Sequence, residues 1–364
     1  MTEAWALRLL SSPHAPPHRV AGLPIALRLA LDAQAAGAKC VVVSPELTSI
    51  REALADHRLR IPVVEAAGTD VGEVAVEAHW VVHRTLLSQA ALEVASNDET
   101  RFVRVETSAP SPAPYGFSPI PVVDGGSARR AERALFRALR KPQDGWTSRW
   151  LNRYISLTIS RWLVHTPLRP NQVSVGILGV GLLGAWLASG GGYWSLLLGA
   201  SLFQAQSVLD GCDGELSRIT HRGSLLGEWL DTVGDDLTNY GFFLGAAWGL
   251  YRTSGTAIYL GAGAVILFAG AIASGLEYRY LYRIGSGDLL KYPLSAQTSQ
   301  GTGLLGRLQP LFKRDTFVFA TFLAALAGLV GPMLFIFAAA AVGVFITVLA
   351  TEWRIARQQA PAME

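Results

Sequence analysis

The chain has 364 residues, of which 50% are hydrophobic and 16% charged, against roughly a quarter charged in an ordinary soluble domain. Its formal net charge of +3 is too small to argue for a nucleic-acid partner. Cys40 and Cys212 lie far apart in unlike contexts, so no disulfide framework is indicated.

The average conceals a break. Residues 1 to about 140 are mixed and polar enough to be soluble, whereas long apolar runs dominate from about 171. The opening MTEAWALRLL lacks a basic stretch followed by an apolar core, so no cleaved signal peptide is expected. In the first section, residues 5–10 read as a strand, 22–36 as a helix ending at Gly37, and the β-branched run 38–44 as a buried strand. Further strands are expected near 61–65, 78–83 and 101–105. Strands alternating with helices predict an α/β layer with a largely parallel sheet. Residues 107–127, rich in Pro, Ser and Gly, read as a linker, and a basic helix follows over about 127–140.

Residues 144–165 interleave Trp146, Trp150, Ile155, Ile159 and Trp162 with Arg149, Arg153 and Arg161. That pairing of Trp and Arg suits an amphipathic helix lying in the headgroup layer. Six apolar runs follow, near 172–189, 193–218, 224–251, 256–282, 315–331 and 333–353. Each is near or above the roughly 20 residues needed to cross a bilayer. Arginines and lysines fall before the first run, between the second and third, between the fourth and fifth, and after the sixth; Arg252 alone lies on the other side. This asymmetry predicts a multi-pass protein of the inner (cytoplasmic) membrane, with both termini in the cytoplasm. The expected organisation is a cytoplasmic α/β domain over 1–140, an interfacial helix over 141–170, and an all-α six-helix membrane domain over 171–357.

The segment most informative about chemistry is 208–236, VLDGCDGELSRITHRGSLLGEWLDTVGDD. Asp210 and Asp213 are three apart, and Asp231 and Asp235 four apart. On helices, both spacings put the pair on one face. Carboxylates in or beside a membrane span are costly unless paired or metal-bound. Asp oxygens are hard ligands suited to Mg²⁺, Mn²⁺ or Ca²⁺. Gly214 and Gly227 share the carboxylate face, where a missing side chain lets a ligand approach the backbone. Arg218 on that face offers forked donors to a phosphate. His221 and Cys212 have no partner at ligand spacing. The chemistry such a site suits is displacement at phosphorus, which needs positioning and charge neutralisation more than covalent catalysis.

The same residues resemble the signature of the CDP-alcohol phosphotransferases, Asp-x-x-Asp-Gly-x-x-Ala-Arg, eight residues, Gly-x-x-x-Asp-x-x-x-Asp. Asp210, Asp213, Gly214, Arg218, Gly227, Asp231 and Asp235 stand in register, with Ser217 in place of the usual Ala. The resemblance covers roughly 141–357 and includes the Thr-Pro-Leu-Arg-Pro-Asn run at 166–171. It implies a CDP-linked donor, release of CMP and transfer of a substituted phosphate to an acceptor hydroxyl. Two Mg²⁺ (or Mn²⁺) ions would be held by the four aspartates, with Asp235 also the general base. Gly214, Ser217, Arg218 and Gly227 would contact the cytidine diphosphate, with Asn171 nearby. It further implies a homodimer in the lipid bilayer.

Residues 20–45 are similar to part of a nucleotidyltransferase domain, but SSPHAPPHRVAGLP replaces that family's Gly-x-Gly-x-Arg loop, and its metal-binding Asp is missing near 78–84. A degenerate domain without cytidylyltransferase activity is therefore expected. Its fusion to the membrane domain resembles inositol-phosphate cytidylyltransferase and di-inositol-phosphate-phosphate synthase fusions. Two donors remain open, CDP-diacylglycerol or a soluble CDP-polyol such as CDP-inositol. A non-catalytic membrane scaffold or transporter is a third reading, disfavoured by the intact motif. Arg153, Arg161, Lys313 and Arg314 are candidates for the phosphate of the acceptor.

Overall fold

The computed structural model describes residues 4–11, 19–68, 71–96, 102–105, 117–140, 147–294 and 314–359. Expectations for Trp146, Lys313, residues 12–18 and the first part of the linker, 107–116, lie outside them; its second part is not all loop, since it carries a strand at Ile120–Pro121 and a helix from Gly125. By its contacts the chain forms two compact units. The first comprises 1–141, 161–167 and 215–222; the second comprises 142–160, 168–214 and 223–364.

The first unit is built on a parallel five-stranded sheet. Strand β1 (Trp5–Leu10) has every residue either buried or half-buried and pairs with β4 (Cys40–Val43) and β6 (Gly72–Glu77). β5 (Val63–Val64) and β8 (Phe102–Arg104) flank them, giving the order β5-β4-β1-β6-β8. Short antiparallel ladders join β2 (Arg19–Val20) to β3 (Leu23–Pro24), and β7 (Trp80–Val81) to β9 (Ile120–Pro121). Helices α1 (Ile25–Ala35), α2 (Thr48–Leu54), α3 (Arg84–Ser96) and α4 (Gly125–Ala138) complete the layer.

The strand expected near 78–83 requires correction. The long strand is β6, six residues earlier, and only β7 falls in the expected window. Glu73 and Glu77 disguise it, because charges argue against a buried strand. Each is paired across the sheet, Glu73 with Arg8 of β1 (2.7 Å) and Glu77 with Arg104 of β8 (2.6 Å). α4 begins earlier than expected because Asp124 caps it, accepting the Ser127 backbone N–H at 2.6 Å.

Two charged residues are buried on α1. Arg28 is 2% exposed and donates to the carbonyls of Ile219 (2.9 Å) and Val20 (3.0 Å). Arg58 donates to the Thr220 carbonyl at 2.8 Å. Charged donors thus satisfy carbonyls that end a helix and have no partner within it. Asp32 lies 3.6 Å from Nε2 of His221, a residue in the left-handed region at φ +50°. Burial pushes the Asp32 carboxyl up to about 7, against the pull of Arg28, and pushes the His221 imidazole down to about 4. Arg28→Leu removes the buried guanidinium and leaves the Ile219 and Val20 carbonyls without their donor, and we expect a loss of about 3 kcal/mol in unfolding stability, read by chemical denaturation.

The two titrations oppose each other. The folded Asp32 holds a proton that the unfolded chain releases near its ordinary value, so its contribution falls as pH rises from about 4 to 7. The folded His221 lacks a proton that the unfolded chain keeps to near 6.5, so its contribution rises between about pH 4 and 6.5. In Asp32→Asn only the rise remains. Its stability should therefore climb over that interval relative to the unsubstituted chain; parallel pH profiles would refute the assignment.

The second unit is helical. A π turn (Ser148–Asn152) leads into α5 (Arg153–Leu163), followed by α6 (Pro170–Ala188), α7 (Tyr193–Thr220) and α8 (Leu225–Ser254). α9 (Ile258–Arg283), α10 (Arg314–Leu326) and α11 (Val330–Gln359) complete it. α6, α9 and α11 are long and apolar enough to cross a membrane. α7 and α8, of 28 and 30 residues, carry the acidic motif, and the described part of α10 has 13 residues. Glycines let α6 and α8 approach closely: a Cβ on Gly249 would stand 2.5 Å from the Ala188 carbonyl oxygen. Phe203 of α7 stacks on Phe242 of α8 at 4.5 Å between ring centroids.

Candidate active site

α7 carries Asp210 and Asp213, and α8 carries Asp231 and Asp235. Asp210 and Asp235 converge on one cation. Arg314, the first residue of α10, places its Nη1 2.8 Å from Asp235 Oδ1 and 3.4 Å from Asp210 Oδ2. Its other donors are anchored by neutral oxygens, Nη2 to Gln206 (2.7 Å) and Thr238 (3.3 Å), and Nε to Asn239 (3.2 Å).

Asp213 is buried and held differently. One oxygen accepts from the Ser174 hydroxyl of α6, and the other accepts the Gly214 backbone N–H at 2.6 Å. Asp231 is the most exposed of the four. The neighbouring Asp236 accepts from the Tyr278 hydroxyl of α9 at 2.6 Å, which ties it to a different helix contact.

Of the residues expected near the nucleotide, Asn171 and Gly227 meet at the start of α8. Ser224 caps that helix, accepting the Gly227 N–H at 3.0 Å, and its hydroxyl lies 3.5 Å from Asn171 Oδ1. A Cβ on Gly227 would stand 2.9 Å from Asn171 Oδ1, so only glycine leaves this approach open. Ser217 is half-buried, and Arg218 is exposed one helical turn beyond Gly214. Of the acceptor candidates, Arg153 is buried and Arg161 lies 3.7 Å from Glu132 in the first unit. Cys212 is buried with its thiol toward the Ser156 carbonyl, and His221 faces Asp32, so neither is part of the carboxylate set.

Gln206, Thr238, Asn239, Ser174 and Ser224 were not singled out from sequence. A signal existed for three of them. Gln206 is four before Asp210, while Thr238 and Asn239 are three and four after Asp235, all polar residues on apolar helices. Ser174 and Ser224 gave none.

Among the described residues, no three His, Cys, Asp or Glu side chains stand in metal-holding geometry. Donor chemistry fits a hard divalent cation all the same. Asp210 and Asp235 face one point from adjacent helices, and Asp235 Oδ1 is buried without an aligned hydrogen bond despite its proximity to Arg314.

Comparison with known proteins adds independent support for the resemblance. A bifunctional IPC transferase and DIPP synthase of Aquifex aeolicus is 39% identical over 114 residues, 31% of this chain and 26% of that protein. This chain is similar to the bifunctional IPC transferase and DIPP synthases. The protein of that name from Archaeoglobus fulgidus is 36% identical over 140 residues (38% of this chain, 28% of the relative). That from Thermococcus kodakarensis is 41% identical over 108 residues (29% and 24%). The chain thus spans about a quarter of the length of the curated relatives it matches. No family model matches. A crystal structure of Mycobacterium tuberculosis phosphatidylinositol phosphate synthase with CDP-DAG bound covers 55% of this chain and 94% of its own. Its 19% identity and TM-score of 0.41 give that likeness no weight for function.

Proposed function

We propose that the chain transfers a substituted phosphate from a CDP-linked donor to an acceptor hydroxyl, releasing CMP. The observation that carries this reading is the convergence of Asp210 and Asp235 from two helices on one point, beside a glycine-lined approach at Asn171 and Gly227. In this reading α6 to α11 all cross the inner membrane, α5 lies along its cytoplasmic surface, and both termini are cytoplasmic. Residues 1–140 form a cytoplasmic domain and 171–357 the membrane domain, which pairs with a second copy.

The acceptor oxygen attacks the phosphorus that bears the donor's alcohol. The bond from that phosphorus to the bridging oxygen of the diphosphate breaks, and its electron pair leaves with CMP. The acceptor proton passes to Asp235. Gly214, Ser217, Arg218, Gly227 and Asn171 bind the cytidine diphosphate, and Arg314 orients an anionic acceptor. Arg153, Arg161 and Lys313 remain proposed acceptor contacts. Asp210, Asp213, Asp231 and Asp235 would hold two Mg²⁺ or Mn²⁺ ions, which supply charge neutralisation at the diphosphate.

Similarity to proteins named IPC transferase and DIPP synthase favours a CDP-polyol such as CDP-inositol over CDP-diacylglycerol as donor. Purified protein in detergent, given each radiolabelled donor with a panel of acceptors, should release CMP from one class. Release from neither, with Mg²⁺ present, would sink the proposal. Gly227→Ala should lower turnover about 10²-fold, because a Cβ displaces Asn171 or the donor by a fraction of an ångström to an ångström. The same purified chain should release no pyrophosphate from CTP, since residues 11–24 lack a phosphate-cradling glycine loop.

A further inference from the structure

We infer that Arg314 is a built-in competitor of the divalent cation, and that cation binding frees its Nη1 edge for the phosphate of the acceptor. The inference rests on the metal-dependent transfer proposed above and adds to it an order of binding.

Arg314 reaches two kinds of partner. Nη1 faces the carboxylates Asp235 (2.8 Å) and Asp210 (3.4 Å). Nη2 and Nε rest on the neutral oxygens of Gln206, Thr238 and Asn239. The two sets differ in what a second cation does to them. A divalent ion bound by Asp210 and Asp235 takes the charge that holds Nη1, but leaves the three neutral anchors untouched. The guanidinium therefore stays at its place with one edge released rather than being expelled.

That edge is the one a second cation competes for, because its contacts to Asp235 and Asp210 are contacts of charge. Charge count points the same way. One guanidinium against Asp210 and Asp235 leaves a net −1 in a largely buried setting, which favours a doubly charged replacement. Once released, a planar cation with fixed donors suits a phosphate oxygen. Before release, an incoming anion meets two carboxylates already occupying the guanidinium. Cation and anion must therefore bind with positive coupling, of the size usual for linked sites, about 5- to 150-fold.

The test uses the full chain in detergent, with Mn²⁺ affinity read by electron paramagnetic resonance and sulfate as the anion probe, each corrected by protein-free blanks. In the unsubstituted protein, sulfate should tighten Mn²⁺ binding at least about fivefold. Arg314→Gln should bind Mn²⁺ about tenfold more tightly without sulfate and show no sulfate effect, while Arg314→Lys retains part of both behaviours. Equal or weaker Mn²⁺ affinity in Arg314→Gln would overturn the inference, as would an identical sulfate effect in both proteins. The linkage in the unsubstituted protein needs no variant, so its absence overturns the inference even if Arg314→Gln fails to fold. Absence of any Mn²⁺ binding, in the unsubstituted protein and the variants alike, would instead remove the metal site of the proposed function, and this inference with it.

Discussion

Turnover should stop in excess chelator and return on addition of Mg²⁺ or Mn²⁺. The acceptor attack builds negative charge on a diphosphate that already carries it, at a place where Asp210 and Asp235 are negative as well. Arg314 alone cannot balance that charge, since one guanidinium faces two carboxylates before any substrate arrives. A divalent ion contributes several kcal/mol of charge stabilisation, so its removal should cost at least roughly 10³-fold in rate. CMP release is the measurement. Full turnover in excess chelator would show that the aspartates serve the fold or the acceptor rather than a metal.

Much of this architecture was legible in the sequence because it rests on periodicity and on fixed spacing. Buried β-branched runs such as residues 40–43 mark strands through local composition alone. Asp210 and Asp213, and Asp231 and Asp235, stand at intervals that a helix brings to one face. What sequence hid were features decided by partners distant in the chain. β6 was misplaced because Glu73 and Glu77 look exposed until Arg8 and Arg104 are set beside them. Arg314 read as a candidate for an acceptor phosphate, but its engagement with Asp210 and Asp235 spans over seventy residues of chain and has no local signature. Asp213 and Ser174 meet in the same way, from helices whose sequences give no hint of each other. The N-terminal unit shows a third case. Arg28 and Asp32 sit at helical spacing with nothing local to mark them as interior residues, and tertiary contacts bury both.

The four aspartates should separate into two classes when each is changed to Asn. The substitution keeps size and removes charge. Asp210, Asp213 and Asp231 are assigned as ligands only, so their variants should bind metal weakly and recover part of their activity at higher Mg²⁺. Asp235 is assigned a second duty, taking the proton from the acceptor hydroxyl. Its position suits that duty: the side chain is partly exposed and stands beside Arg314 at the point on which Asp210 also converges. General-base catalysis is typically worth about 10²–10⁴ in rate, and no metal concentration supplies a missing base. Asp235→Asn should therefore bind the CDP donor yet turn over about 10²- to 10⁴-fold more slowly at every Mg²⁺ concentration. Asp236 is the internal control. Its oxygen accepts from Tyr278 on α9 at 2.6 Å, an acceptor role that an Asn carbonyl can keep, so Asp236→Asn should change turnover little. Steady-state kinetics across a metal titration distinguishes these outcomes. Recovery of Asp235→Asn by added metal, together with an inactive Asp236→Asn, would move the base to Asp236 and leave Asp235 a ligand.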